Sequence, residues 1–483
     1  MLINKPFIKL FKTRSKYYMY DVNKNTILNI DNKQYTFLKN CLEFNDNCFE
    51  TKEVNRLYKD GFLSSNKVKN IVHPAEELLP YYLNNNVQML ILQVTQQCNF
   101  RCEYCVYSGA YLNRSHSNKK MDISTALKGI DFIINHSSNV ETINIGFYGG
   151  EPLLEFNFIK KCIEYAEEKS DCKKIIFSMT TNASLLTDEI VEFLYKHSVL
   201  LTISLDGPKE IHNSHRKLAL NNNGSFDKVI NNIVRIEKKF PEYIKTILFN
   251  TVIDTENDFD CIDKFFLSYD TVKNIALRST FISNNYKKDD IVINEKRQDY
   301  YSKQSYELFK IFYHLIKEKS TENCSRIAIE EYNEVAKLSK KLVPQEILPE
   351  RAHPSGPCIP GTHRLFMNAD GFFYPCERVS ESSNLMQIGH IDTGFDIDKV
   401  KKILNIGKVN ENACKNCWAI RLCGICASLI DSTEKEFSEK RKEEFCKKFK
   451  LSLEEKLKNY CFLKEFGHDF ENNVEMNLNE VIK

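Results

Sequence analysis

The chain has 483 residues, of which 42% are hydrophobic and 27% charged. That balance is ordinary for a folded soluble protein, and the length predicts two or three domains. A formal net charge of +2 gives no polyelectrolyte case for binding nucleic acid or an anionic membrane surface.

Residues 1–85 contain the strand candidates YYMYDV and TILNI. Tyr35, Leu38 and Leu42 then fall on one helical face, and a second helix around Val54, Leu57 and Tyr58 is predicted to stop at Gly61. This pattern predicts a small winged-helix-like module, whose exposed strand edge could accept an extended peptide; a purely structural cap is the alternative. Across residues 86–300 the segments MLILQVT, TINIGFYGG, KKIIFSMTT, LLTISLDG, TILFNTVI and NIALRST read as buried strands. Helical stretches separate them, one presenting Phe158, Cys162 and Ala166, another Val229, Ile233 and Ile236. Alternation of this kind predicts an α/β fold with a parallel sheet, here a partial (β/α)6 barrel open on one side. Residues 301–350 read as a bridging region, 351–450 as a loop-rich, cysteine-rich domain, and 451–483 as a helix followed by a disordered tip.

No apolar run approaches the eighteen or so residues that span a bilayer. The basic start, MLINKPFIKLFKTRSKYY, is interrupted by Pro6 and Lys9 and lacks a signal-peptide core, so the expected location is the cytoplasm. In a reduced compartment, 17 clustered cysteines suit metal or cluster ligation better than disulfides.

Immediately after the first barrel strand, QQCNFRCEYC supplies Cys98, Cys102 and Cys105 with C-x3-C-x2-C spacing. Three thiolates can hold a cubane iron–sulfur cluster while leaving one iron free for a cofactor. A catalytic zinc held only by neighbouring cysteines is the weaker alternative. With an aromatic Tyr104 before the third cysteine, the motif resembles the radical S-adenosylmethionine (SAM) superfamily. Further marks of that resemblance follow in order: Gly149, Gly150 and Glu151 in FYGGEP, Thr181 and Asn182 in TTNAS, Ser204 and Asp206 in SLDG, and Arg216 in HNSHRK. The resemblance implies that these residues, with Tyr104, bind the cofactor: Tyr104 near the adenine, the glycine backbone at the methionyl amino group, Ser204 at the carboxylate or ribose, and Arg216 on the carboxylate. A turn at Asp206–Gly207 and an ion pair for Arg216 are the alternatives from the residues themselves. The chemistry so implied is reductive cleavage of the sulfonium to a 5′-deoxyadenosyl radical, which abstracts hydrogen from an unreactive carbon.

Farther on, Cys358, Cys376, the quartet Cys414, Cys417, Cys423 and Cys426, and finally Cys446 resemble a SPASM domain. A pair of zinc ribbons is the alternative. The resemblance implies two auxiliary clusters, one on Cys358, Cys376 and Cys426 and one on Cys414, Cys417, Cys423 and Cys446, making three [4Fe-4S] clusters with the SAM-binding one. The first auxiliary set lacks an obvious fourth ligand. Cys324 and Cys461 are candidates; otherwise an open iron could bind a substrate thiolate and lower its pKa. The segment HPSGPCIPGTHRLFMNADGFFYPCERVSE resembles clostridial-type maturases of cysteine-rich peptides, of the ranthipeptide and sactipeptide thioether-forming kind.

That resemblance implies a radical SAM oxidoreductase installing Cys sulfur-to-carbon thioethers in a ribosomally made, Cys-rich precursor. The leader of that precursor would dock on residues 1–85, with a flavodoxin or ferredoxin as electron donor. An anaerobic sulfatase-maturing (formylglycine-forming) enzyme and a zinc-stabilised peptide-binding protein are the rivals. Cys41, Cys48, Cys162, Cys172 and Cys261 are read mostly as buried small hydrophobes. His116, His212 and His215 carry no metal-ligand pattern, and no residue stands out as a general base.

Overall fold

A computed structural model describes residues 2–3, 5–43, 48–49, 52–170, 173–288, 295–318, 320, 323–354, 356 and 358–470. The expected tip at 471–483 and Cys172 lie outside the described residues, as does the side chain of Cys48.

Six parallel strands, Met89–Thr95, Thr142–Gly149, Lys174–Thr181, Leu200–Ser204, Leu248–Ile253 and Ala276–Phe281, hydrogen-bond to one another in chain order. This is the sheet of a partial (β/α)6 barrel. The helices Ile123–Asn135, Phe156–Lys169, Asp188–Lys196, Phe226–Lys239 and Phe259–Ser268 form the crossovers. Side-chain caps fix the starts of the first and last of these: Asp122 accepts from the Ser124 N–H at 2.8 Å and Asp258 from the Cys261 N–H at 2.8 Å. Residues on the outer face of the strands, such as Leu90, Leu92, Ile145, Phe177, Ile203 and Phe249, are buried beneath these helices. Cys162 is buried there too, beside Ile159, Ile163 and Ala166, as a small hydrophobe would be, whereas Phe158 is only partly covered.

The sheet does not end at the first strand. Leu365–Met367 pairs parallel to it, and Phe372–Tyr374, Gly389–His390 and Gly394–Phe395 follow antiparallel, giving ten strands in all. The cysteine-rich region is therefore continuous with the barrel sheet. Strands of two or three residues carry too few alternations to register as a pattern, so this part reads as loop in the sequence.

At the N-terminus, Ile8–Lys12, Tyr17–Asp21 and Thr26–Ile30 form an antiparallel sheet, followed by the helices Asn32–Glu43 and Lys52–Lys59. Leu38, Cys41 and Val54 pack with Ile8, Met19 and Ile30 on one side of it. Cys41 is disulfide-bonded, so its role there exceeds that of a small hydrophobe. The opposite side, Phe11, Tyr18 and Tyr20, packs against Leu457, Cys461 and Ile420. Arg421 seals the joint by donating to the Val22 and Asn23 carbonyls at 2.8 and 3.0 Å. The C-terminal helix runs unbroken over Glu439–Glu465, across residue 450. Among the described residues no helix is long and apolar enough to cross a membrane.

Candidate active site and cysteine clusters

Two consecutive glycines shape the loop that carries the first cysteines. The Gly150 N–H donates to the Thr95 carbonyl at 2.7 Å and the Glu151 N–H to the Gln97 carbonyl at 2.9 Å. A Cβ at Gly149 would stand 2.1 Å from the Thr95 oxygen, and one at Gly150 2.0 Å from the Gln97 oxygen. The φ of +147° at Gly149 adds a conformational reason for glycine. Downstream, Phe100–Cys102 pairs antiparallel with Arg216–Leu218, which sets Cys102 opposite Arg216.

N–H groups point at two of the three thiols. The Cys98 sulfur accepts the Phe100 N–H at 3.3 Å and the Asn182 amide at 3.9 Å, and the Cys105 sulfur accepts the Tyr107 N–H at 3.5 Å. Burial pushes the Cys98 and Cys102 thiols up to about 12, with each ionisation opposed further by the neighbouring thiolates. Such thiols stay neutral at physiological pH unless a cation draws off their protons. Among the described residues no three His, Cys, Asp or Glu side chains converge as they would on a single ion. A cubane would hold three such thiolates at separate iron corners.

Around the loop lie the polar residues singled out in the sequence. Glu151 is buried and accepts from the Thr181 hydroxyl at 2.7 Å and the Asn182 N–H at 2.8 Å. Burial raises its carboxyl to about 7 despite those bonds. Asn182 also bonds Asn99 at 2.8 Å, tying the third strand to the cysteine loop. Arg216 grips Asp206 through two bonds, 2.7 Å from Nε and 3.2 Å from Nη2, and its guanidinium stacks 5.4 Å from the Tyr104 ring centroid. The Tyr104 hydroxyl bonds the same carboxylate. Burial alone would raise the Asp206 pKa, but the Arg216 charge brings it below the ordinary carboxylate value. The structure thus gives the Arg216 fork a protein partner where the sequence reading gave it a cofactor carboxylate. Ser204 ends the fourth strand opposite Asn250, on the inner face.

A buried polar network in the barrel interior is absent from the sequence reading. Arg114 pairs with Glu381, donates to the Val379 carbonyl at 3.1 Å and lies 4.9 Å from the Phe366 ring centroid. Gln93 donates to both Tyr107 and Glu381, at 2.9 and 2.6 Å. Among the described residues, Arg114 Nη1 and Glu377 Oε2 are buried without a hydrogen-bond partner. The bonds from Arg114 to Val379 and from Gln93 to Glu381 span 265 and 288 positions of sequence, and no local motif marks them.

Residues 92–266 match the family model of the radical SAM superfamily. This region is a radical SAM domain. The radical SAM cyclopropyl synthase TigE of Paramaledivibacter caminithermalis is 28% identical over 234 residues, 46% of this chain and 48% of that protein. A cysteine-type anaerobic sulfatase-maturating enzyme of Clostridium novyi is 31% identical over 189 residues, 38% of this chain and 49% of that one. The chain spans about half the length of these two relatives. The corresponding enzyme of Clostridium perfringens is 25% identical over 380 residues, 76% of this chain and 95% of its own length. Among solved structures, anSMEcpe with bound AdoMet aligns with a TM-score of 0.60 at 20% identity, covering 82% of this chain and 97% of that one. At that identity the likeness speaks for the fold alone.

Beyond the radical SAM domain, the seven later cysteines fall into two groups. Cys358, Cys376 and Cys426 lie within electrostatic reach of one another. So do Cys414, Cys417, Cys423 and Cys446. A Cβ at Gly356 would stand 2.4 Å from the Cys423 carbonyl oxygen, so the Cys358 loop lies directly on the quartet segment. Neither suggested fourth ligand joins the trio. Cys324 sits among Glu307, Lys310, Glu318 and Asp263, and Cys461 is buried against Tyr18 and Leu457. Cys261 is exposed at a helix start, and His212 is buried, accepting the Asp206 N–H at 3.4 Å and bonding Ser225 at 3.1 Å.

Proposed function

We propose that the protein is a maturase that installs Cys sulfur-to-carbon thioethers in a ribosomally made, Cys-rich peptide. The observation that carries this reading is the trio Cys358, Cys376 and Cys426, which has no fourth cysteine beside it among the described residues. A cluster on three protein thiolates keeps one iron for a substrate sulfur, whose pKa it would lower. Cys98, Cys102 and Cys105 would hold the SAM-binding cluster, and Cys414, Cys417, Cys423 and Cys446 the second auxiliary one. With those clusters and SAM in place, the site would supply a carbon-centred radical able to take hydrogen from a peptide carbon. Tyr104, Gly149, Gly150, Glu151, Thr181, Asn182, Ser204, Asp206 and Arg216 would shape the cofactor pocket.

The N-terminal module supports a peptide substrate. Its Thr26–Ile30 strand lies at the edge of the three-stranded sheet, so a leader could add as a further strand. A flavodoxin or ferredoxin would deliver the electron. Formylglycine formation is the second reading, favoured by the 95% coverage of the Clostridium perfringens sulfatase-maturating enzyme. Mass spectrometry of a Cys-rich peptide after anaerobic turnover separates the two. The thioether reading expects loss of two hydrogens per crosslink and no aldehyde, and expects Cys376→Ala to keep 5′-deoxyadenosine production while losing the crosslink. A hydrazine-reactive aldehyde on the peptide, or crosslinking undiminished in that variant, rejects it.

A further inference from the structure

The barrel strands present an outer face covered by helices and an inner face lining the lumen. Gly146 marks the inner face, since a Cβ there would meet Met89, Ile91 and the Ser178 hydroxyl. Register carries that face across the sheet. Gly146 pairs with Ser178, Ser178 with Leu200, Ser204 with Asn250, and Asn250 with Arg278 on the sixth strand. In the other direction Gly146 pairs with Ile91 and Ile91 with Phe366, so Arg364, two residues earlier, shares the same side. Arg278 and Arg364 therefore enter one lumen from the two flanks of the barrel opening.

Arg378 joins them. Glu377 accepts from Arg364 at 2.7 Å and lies 3.7 Å from Arg378. Arg278 is open to solvent and has no hydrogen-bond or ion-pair partner among the described residues. It senses the charges of Arg364, Arg378 and Glu330. Three guanidinium groups thus share this place with two carboxylates, Glu330 and Glu377, and Arg364 among them lies within electrostatic reach of Cys358.

We propose that Arg278, Arg364 and Arg378 form a carboxylate-reading site inside the barrel mouth, so that the segment modified carries Asp or Glu side chains near the reacting residue. This rests on the peptide-maturase reading and names the class of peptide it takes. The planar guanidinium fork suits carboxylate oxygens, which it can meet two at a time. Neutral or basic segments would leave Arg278 without a partner.

The test uses the anaerobically reconstituted full-length enzyme and two short, leaderless fluorescent peptides containing Cys, alike except that Asp in one is Asn in the other. Fluorescence anisotropy should show the Asp peptide binding about tenfold more tightly. Arg278→Gln should cut that preference to about twofold, and Arg278→Lys should recover part of it. Cluster absorbance and peptide-free 5′-deoxyadenosine formation should not change. Equal affinities in the unaltered enzyme, or a preference that survives Arg278→Gln combined with Arg378→Gln, overturns the proposal. An Arg278-dependent preference without any crosslinked product would instead reject the maturase reading and leave the carboxylate site standing. Crosslinking of both peptides at equal KM would reject the site alone.

Discussion

Gly150→Ala is expected to abolish assembly of the first cluster. The new Cβ would stand 2.0 Å from the Gln97 carbonyl oxygen, 2.5 Å from its carbon and 3.0 Å from the Cys98 nitrogen. All three are backbone atoms, so no side chain can swing aside to make room. The loop must move away from the glycine turn, breaking the 2.7 Å bond to the Thr95 carbonyl and the 2.9 Å bond to Gln97. Displacement by about 1 Å is enough to cost on the order of a hundredfold in rate when reacting groups are positioned this tightly. Iron analysis should show about four fewer irons per chain than in the unaltered protein. Gly424→Ala provides the contrast. Its nearest neighbour would be the Phe449 ring at 3.4 Å, an ordinary contact, and cluster content should be unchanged.

Asp206→Ala carries the second large effect. The substitution leaves the Arg216 guanidinium buried and unpaired, and it strips the Val252 N–H of its 3.1 Å acceptor. Removing one member of such a buried pair costs about 3–5 kcal/mol. Thermal denaturation should therefore show a marked loss of stability, milder in Asp206→Asn, which keeps the shape and part of the hydrogen bonding. The pH dependence has a fixed sign. Because the Asp206 pKa is depressed in the fold by Arg216, its contribution is complete above the ordinary carboxylate pKa. That contribution fades as pH falls through the lower folded value. The gap between unaltered protein and Asp206→Ala should hold from neutral pH into the mildly acidic range and close only below it. A constant gap at all pH values would rule out an ionised pair.

The radical SAM barrel was legible in the sequence because its signals are local. Each strand is an apolar run between turns, and Cys98, Cys102 and Cys105 announce themselves by spacing. The division of the later cysteines into a trio and a quartet came from the resemblance to a SPASM domain and not from their order, since Cys426 stands between Cys423 and Cys446 in the chain. What could not be read depends on contacts between distant segments. Leu365–Met367 is too short to have a period, yet it extends the barrel sheet because it lies beside Leu90–Leu92. Arg114 and Glu381 meet across the lumen with no motif at either end. Arg216 illustrates a different gap. Its residue type and position fitted a cofactor carboxylate, but a guanidinium satisfies any carboxylate within reach, and Asp206 is ten residues away on the neighbouring loop. Arg278 was hidden inside a strand recognised only for its apolar members, where strand alternation turns it inward.

Radical formation at the first cysteine loop is the claim beneath all of this. Replacing Cys98, Cys102 and Cys105 together with alanine, then assaying 5′-deoxyadenosine under strict anaerobiosis with dithionite and SAM, tests it with the rest of the molecule intact. The account predicts that 5′-deoxyadenosine falls to background while the other cysteines still take up iron. Production at the unaltered enzyme's rate in the triple variant would contradict it.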